Sequence, residues 1–315
     1  MTLSLFFNSI FIYLNVSDKK KTLGNYRYLL LSFSVFNTVY SIVEVVAPVA
    51  LYGSNYILVV YLAGGPFYEY LRLGQLTVSI RCCCIALSYA ILTIHFLYRY
   101  FALFNPLIIY KLTSKKGIFS MILFFISHGL IWLFVCEYLV PATDEVRETV
   151  RNQFLVLFDT NISKVPFFNL VFRSSDPKVV QRCWLGISIV ALTSAASITL
   201  YCVLGYRIFK KLQDVDTISK NTRRLHHQLF LTLAIQTSIP TLISFLPCMF
   251  VWFIPFFGIY LGNYGNIAMI ALSAFPFLDV LAIIVLLPVY RNRFITVTKG
   301  ESSGGIRVVG GSSNL

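Results

Sequence analysis

Seven stretches of the chain are apolar over nearly their whole length and almost free of charge. They are Leu3–Val16, Tyr28–Leu51, Leu76–Leu97, Ile118–Val140, Trp184–Tyr206, Leu229–Pro255 and Tyr264–Pro288. A helix rises about 1.5 Å per residue and a bilayer's hydrocarbon core is about 30 Å thick, so a crossing takes roughly 20 residues. Six stretches meet that length. The first spans only roughly 24 Å as a helix. It does not read as a signal peptide, because Lys19–Lys21 follow the apolar run instead of preceding it and no small-residue cleavage site comes after it. It reads as a truncated first membrane helix. The pattern therefore predicts an all-α membrane protein, a seven-transmembrane-helix bundle over residues 1–298, with a Ser/Gly-rich disordered tail over 299–315.

Composition supports lipid as the solvent. Hydrophobic residues make up 57% of the 315 and charged residues only 12%. A soluble domain of this size has too little surface to stay polar while carrying so many apolar side chains. The net charge of +13 is then read by position. Of 26 Lys and Arg, 18 lie in the first, third and fifth connections and the tail, and 7 in the even connections; Arg81 lies within the third segment. The positive-inside rule places the N-terminus outside and the C-terminus in the cytoplasm. The charge thus records topology, and no nucleic-acid partner is needed to explain it. Asn161-Ile162-Ser163 falls in the outer fourth connection and is a candidate glycosylation site, whereas Asn15-Val16-Ser17 falls at the inner end of the first segment and is a chance match.

Ionisable residues inside a bilayer are costly and default to functional candidates. The second segment carries Asn37, Ser41, Glu44 and Pro48, and the third carries Arg81, Cys84, Ser88, His95 and Arg99, each set at helical spacing on one face. Both faces are expected to look into a shared interior. The two segments run in opposite directions, so Glu44 and Arg81 both fall in the outer half, where an ion pair would neutralise them. That pair either orients two helices or faces a ligand. His95 and His128 read as packing residues. Pro240 and Pro247 in the sixth segment are either static kinks or hinges. The cysteines suggest no metal site. Cys183 alone lies in an outer connection, where a bridge to the third segment is one option and a free thiol the other.

Several stretches carry a family likeness. Tyr98-Arg99-Tyr100 closes the third segment and looks like the Asp/Glu-Arg-Tyr element of G-protein-coupled receptors. Gly24-Asn25-Tyr26-Arg27-Tyr28-Leu29, His95-Phe96-Leu97, Asn105-Pro106, Leu225-His226-His227-Gln228-Leu229-Phe230, Gln236-Thr237, Pro276, Asp279 and Tyr290-Arg291 follow in order. Together they resemble the nematode seven-transmembrane serpentine chemoreceptors of the Str class, over about residues 23–294. Two departures stand out: the shortened first segment, and Val280 where the family usually has Pro after the seventh-helix acid.

The resemblance implies a multi-pass plasma-membrane receptor, in the cilium of a sensory neuron, that binds a small, possibly volatile organic ligand and activates a heterotrimeric G protein. It implies no cofactor, no metal and no enzymatic activity. Ligand-site candidates by outer-half position are Glu44, Arg81, Cys84, Ser88, Phe250, Trp252 and Asn266. Candidates for coupling and switching are Tyr98, Arg99, Tyr100, Arg223, Arg224, Pro240, Pro247, Asp279 and Tyr290. The rival readings are a transporter or ligand-gated channel, and a nonfunctional truncated receptor. A retinal protein would need a lysine between Tyr264 and Pro288, and there is none.

Overall fold

The computed structural model describes residues 1–17, 23–54, 56–213, 220–262 and 264–298. Lys19–Lys21 and the expected disordered tail lie outside these residues. The helices are α1 (Thr2–Val16), α2 (Tyr26–Val46), α3 (Leu71–Phe104), α4 (Pro106–Leu112), α5 (Lys115–Phe134), α6 (Asp144–Phe158), α7 (Pro177–Gln213), α8 (Lys220–Ile239), α9 (Leu246–Phe253), α10 (Asn266–Leu286) and α11 (Pro288–Thr298). Six spans among the described residues are long and apolar enough to cross a membrane, and α1 is a seventh, shorter apolar helix. α3 lies at the centre of the bundle and is the most buried of the spans.

Prolines set several boundaries. A residue before proline is pushed out of the helical region. Ala47, before Pro48, accordingly sits at φ −125°, ψ 71° and ends α2. Asn105 ends α3 before Pro106 in the same way, at φ −151°. The second apolar stretch is therefore not one helix to Leu51. Pro48 leaves the polar face of α2, and Leu51 belongs to a strand. In the sixth stretch Pro240 opens a π-helical segment, Pro240–Phe245, which joins α8 to α9. α5 likewise ends in a π-helical turn, Val135–Leu139.

The end of the bundle assigned by charge to the outside carries a cap that was not expected from the sequence. Strands β1 (Val49–Ser54), β2 (Ile57–Leu62) and β3 (Phe167–Val171) form an antiparallel sheet in the order β1-β2-β3. Leu58 pairs with Gly53 on one side and Leu170 on the other. Side chains alternate between two cores. Leu51, Leu58, Val60, Leu62, Phe168 and Leu170 point into the helical bundle. Tyr52, Ile57, Val59, Tyr61, Phe167 and Val171 point the other way, against α6. α6 is amphipathic and presents Val146, Val150 and Phe154, spaced four apart, to this second core. Burial pushes the Tyr61 phenol up to about 12, so it packs there neutral. Arg147 donates to the carbonyls of Ile162 and Val165 at 2.7 and 3.2 Å, tying α6 to the chain before β3.

The cap closes against the segment before α10. Gly53 donates to the Gly262 carbonyl at 3.1 Å, and its own carbonyl accepts from Leu261 and Gly262. A methyl group on Gly53 would sit 2.8 Å from Cβ of Leu261, so only glycine permits this approach. Gly53→Ala is expected to cost about 1–3 kcal/mol, as overpacking does elsewhere. It would be read as a lower thermal midpoint of the detergent-solubilised chain; an unchanged midpoint would contradict this seam.

α1, though short, is fastened by a polar stripe of its own. Ser4 Oγ lies 2.7 Å from Ser41 Oγ. Asn8 accepts from Ser34 at 2.7 Å and donates to the Pro276 carbonyl at 3.1 Å. Asn15 donates to the Tyr290 hydroxyl at 3.0 Å. Asn15 is thus buried and engaged. Each of these contacts joins α1 to α2, α10 or α11, which compensates for its limited apolar length.

Candidate functional site

Three layers of polar and aromatic side chains run through the bundle. In the outer layer Arg81 Nη2 donates to Glu44 Oε1 at 2.6 Å, with both side chains buried. The Arg81 guanidinium also lies over the Tyr40 ring, 4.4 Å from its centre. The expected ion pair thus exists, and it joins α2 and α3. Arg81 is not an interfacial side chain reaching for water.

In the middle layer Asp279 of α10 is fully buried and accepts from Asn37 Nδ2 of α2 at 3.0 Å. Gln236 of α8 is also buried, with neither of its amide atoms hydrogen-bonded. Asp279 thus ties α10 to α2, a role sequence position alone did not specify. Gln236 and Asn37 were not chosen as site residues. Their signal was present as two amides facing inward at mid-membrane depth.

In the inner layer Tyr26, His95, Tyr98 and Arg99 pack together. The Tyr26 hydroxyl lies 3.2 Å from His95 Nδ1. The Arg99 guanidinium stacks on the Tyr26 ring, 3.2 Å from its centre. Arg99 is 5% exposed, and its Nε and Nη2 have no hydrogen-bond partner in this structure. It makes none of the salt bridges among the described residues. Arg207 of α7 donates to the Tyr100 hydroxyl at 3.4 Å. Tyr290 is buried, with its ring 4.8 Å from that of Phe11. Arg223, Arg224 and His227 line the inner end of the α7–α8 seam.

Above the middle layer lies a small cavity of about 40 Å³ between α3, α5, α7, α9 and α10. Its walls include Tyr89, Trp132, Ser194, Phe245, Trp252 and Met269. Leu51, Val60 and Phe168 of the sheet roof it. Trp132 and Trp252 face each other with ring centres 6.3 Å apart, and Tyr89 stacks on Phe245 at 4.2 Å.

The residues expected to form one pocket are therefore divided. Trp252 lines the cavity. Glu44 and Arg81 are engaged with each other. Cys84 and Ser88 are buried on the same α3 face, and Ser88 Oγ donates to the Ile85 carbonyl at 2.6 Å. Asn266 accepts from the Leu51 backbone N–H at 2.7 Å and so anchors the sheet to α10. Phe250 is 70% exposed and points away from the bundle. It is a lipid-facing residue, because outer-half depth does not fix which side of a helix faces in. Cys183 is a free thiol that accepts from the Val171 N–H at 3.2 Å, so no bridge to α3 forms in this structure.

A membrane bundle with a small roofed cavity at one end and a buried arginine at the other has a receptor-like architecture. Sequence comparison gives the family. The profile of the serpentine type 7TM GPCR chemoreceptors, class Srj, matches residues 1–294. The chain is 32% identical to the Caenorhabditis elegans protein named serpentine receptor class J-38, over 94% of this chain and 90% of the relative. It is 25% identical to serpentine receptor class r-10 of the same organism, over 91% and 86%. It is 23% identical to G-protein coupled receptor str-33, also from that organism, over 94% and 88%. The chain belongs to the nematode serpentine chemoreceptors. The matching profile is that of class J, with a Str-named receptor among the relatives.

Proposed function

We propose that this serpentine receptor binds a small, largely apolar organic ligand in the cavity beneath the sheet and activates a heterotrimeric G protein from the opposite end. The observation that carries this is the roofed cavity itself. Aromatic rings and thioethers line it, with Ser194 and Tyr89 as the residues that carry hydroxyls. Such walls suit a compact apolar or weakly polar molecule. In its present volume the cavity holds little, so a ligand must displace Trp252 or Met269. Binding energy then favours the arrangement with those side chains moved, which is the differential affinity that a two-state switch requires.

The signal has a short physical path. α9, which carries Trp252, joins α8 through the π segment at Pro240–Phe245. A π turn lacks part of the regular i→i−4 ladder and is a natural place for a helix to bend. α8 leads from there to Arg223 and Arg224, and its inner end faces the layer that holds Arg99. Movement of α8 would uncover Arg99 for the G protein.

Filling the cavity tests this. Ser194→Phe should raise the ligand concentration for half-maximal response by at least about tenfold, by analogy with other overpacked sites, at unchanged surface level. Phe250→Ala should leave the response as it was. If Phe250→Ala were the damaging change, the ligand would sit elsewhere.

The proposed setting is the plasma membrane of a ciliated sensory neuron, with the cap outside. Asn161 then faces the glycosylation machinery, in a short turn where its Oδ1 accepts from the Ser163 N–H at 3.0 Å. Glycosidase treatment should increase the gel mobility of the expressed chain, and Asn161→Gln should abolish that shift. A shift that survives the substitution would move the glycan to another site.

A further inference from the structure

The seam between α7 and α8 is open on its lipid-facing side. Phe96, Tyr201, Gly205, Phe230, Thr237 and Leu242 line a groove of about 270 Å³ there. It is separate from the roofed cavity, with which it shares no lining residue. Gly205 makes the notch, since a side chain at that position would project towards Phe96 and Phe230. Tyr201 stacks on Phe96 at 5.2 Å to make a flat floor. The groove looks mixed in composition but is apolar in effect. Thr237 Oγ1 is spent on the Leu233 carbonyl and Ser238 Oγ on that of Ala234, each at 2.8 Å.

The face of α8 that lines the groove runs on by helical spacing towards a second depression at its inner end. From Leu242 to Phe230 is 12 residues, about 18 Å of helix, close to the depth of one leaflet at about 15 Å. One turn beyond Phe230 comes His227, and another turn brings Arg224 and Arg223. These line a wide mouth together with Gln213 and Gln228. Neither arginine makes any of the salt bridges among the described residues. Residues 207–228 hold six basic side chains against two acidic ones, Asp214 and Asp216.

An apolar channel one leaflet deep, facing lipid and ending in a cationic mouth, has the form of a phospholipid. We infer that the α7–α8 seam is a binding site for one anionic phospholipid of the cytoplasmic leaflet. An acyl chain lies against Gly205 and Phe230, and the phosphate or its acidic headgroup meets Arg223 and Arg224. The occupant is a bilayer lipid and not a soluble phosphate, because the groove opens sideways into the membrane.

The test uses the full-length chain, solubilised and analysed by native mass spectrometry with phosphatidylserine or phosphatidylcholine added. One phosphatidylserine should remain bound in preference to phosphatidylcholine. Arg223→Gln with Arg224→Gln should remove that preference, at roughly fivefold per charge. Ser238→Trp, which crowds the groove from the exposed wall, should reduce binding of both lipids. Gly205→Phe should do the same from the α7 side. Lys115→Gln with Lys116→Gln removes two charges at the start of α5 and should change nothing. Equal retention of the two lipids by the unaltered chain would overturn the inference. So would retention undiminished by both groove-filling variants, or loss of preference in the lysine variant matching that in the arginine variant.

Discussion

Replacing Arg99 with leucine is expected to silence the receptor and at the same time make it harder to unfold. The guanidinium is buried, stacked on Tyr26, and has two nitrogens without hydrogen-bond partners. A desolvated cation–π contact returns about 2 kcal/mol. The effective penalty for burying a charge is several kcal/mol, and no carboxylate among the described residues pairs with this one. Leucine keeps most of the packing and removes the penalty. The thermal midpoint of the solubilised chain should therefore rise by a few degrees. G-protein activation should fall to background at equal surface level, because the charge kept here is the one that α8 movement would release. A variant that signals normally, or one that is destabilised, would contradict this reading of the inner layer.

The second large effect concerns the outer layer. Arg81→Ala should destabilise the chain by about 3–5 kcal/mol, because it leaves Glu44 buried without its cation. The geometry is specific: a 2.6 Å contact, a guanidinium over Tyr40, and side chains only 3% and 9% exposed. Surface expression should drop sharply. Glu44→Gln with Arg81→Gln removes both charges and keeps amide hydrogen bonding, so it should recover much of the loss. A double-mutant cycle on thermal unfolding, with Glu44→Gln and Arg81→Gln as its single variants, measures the coupling directly. If the double variant were as unstable as the sum of the single ones, the two residues would not be acting as a pair.

The Glu44–Arg81 contact was legible in the sequence because helical spacing and antiparallel direction place two isolated charges at the same depth. The inward face of α3 was legible for the same reason, with Arg81, Cys84, Ser88, His95 and Arg99 all enclosed. The sheet was not. A strand buried on one face alternates apolar and polar residues, but β2 is buried on both and reads Ile-Leu-Val-Val-Tyr-Leu. β1 follows α2 so closely that its Val-Ala-Leu extended the apparent helix. Only Pro48 marked the break. α6 was hidden by its charges: Asp144, Glu145, Arg147 and Glu148 look like a solvated loop until Val146, Val150 and Phe154 are read as one stripe. Phe250 was misplaced because depth alone decided it, and the π segment before it shifts the helical register. Asn37 became a site residue only when the fold brought it to Asp279.

In the proposed mechanism, ligand at the roofed cavity reaches a G protein through α8 and Arg99. The most direct measurement is ligand-evoked dissociation of a co-expressed heterotrimeric G protein, read by resonance energy transfer in cells carrying the full-length chain and exposed to a panel of small volatile organics. A concentration-dependent signal is expected for at least one compound, lost in Arg99→Leu and shifted to higher concentration in Ser194→Phe. A compound that evokes membrane current in cells lacking the G protein, with Arg99→Leu responding as the unaltered chain does, would contradict it and favour a ligand-gated channel.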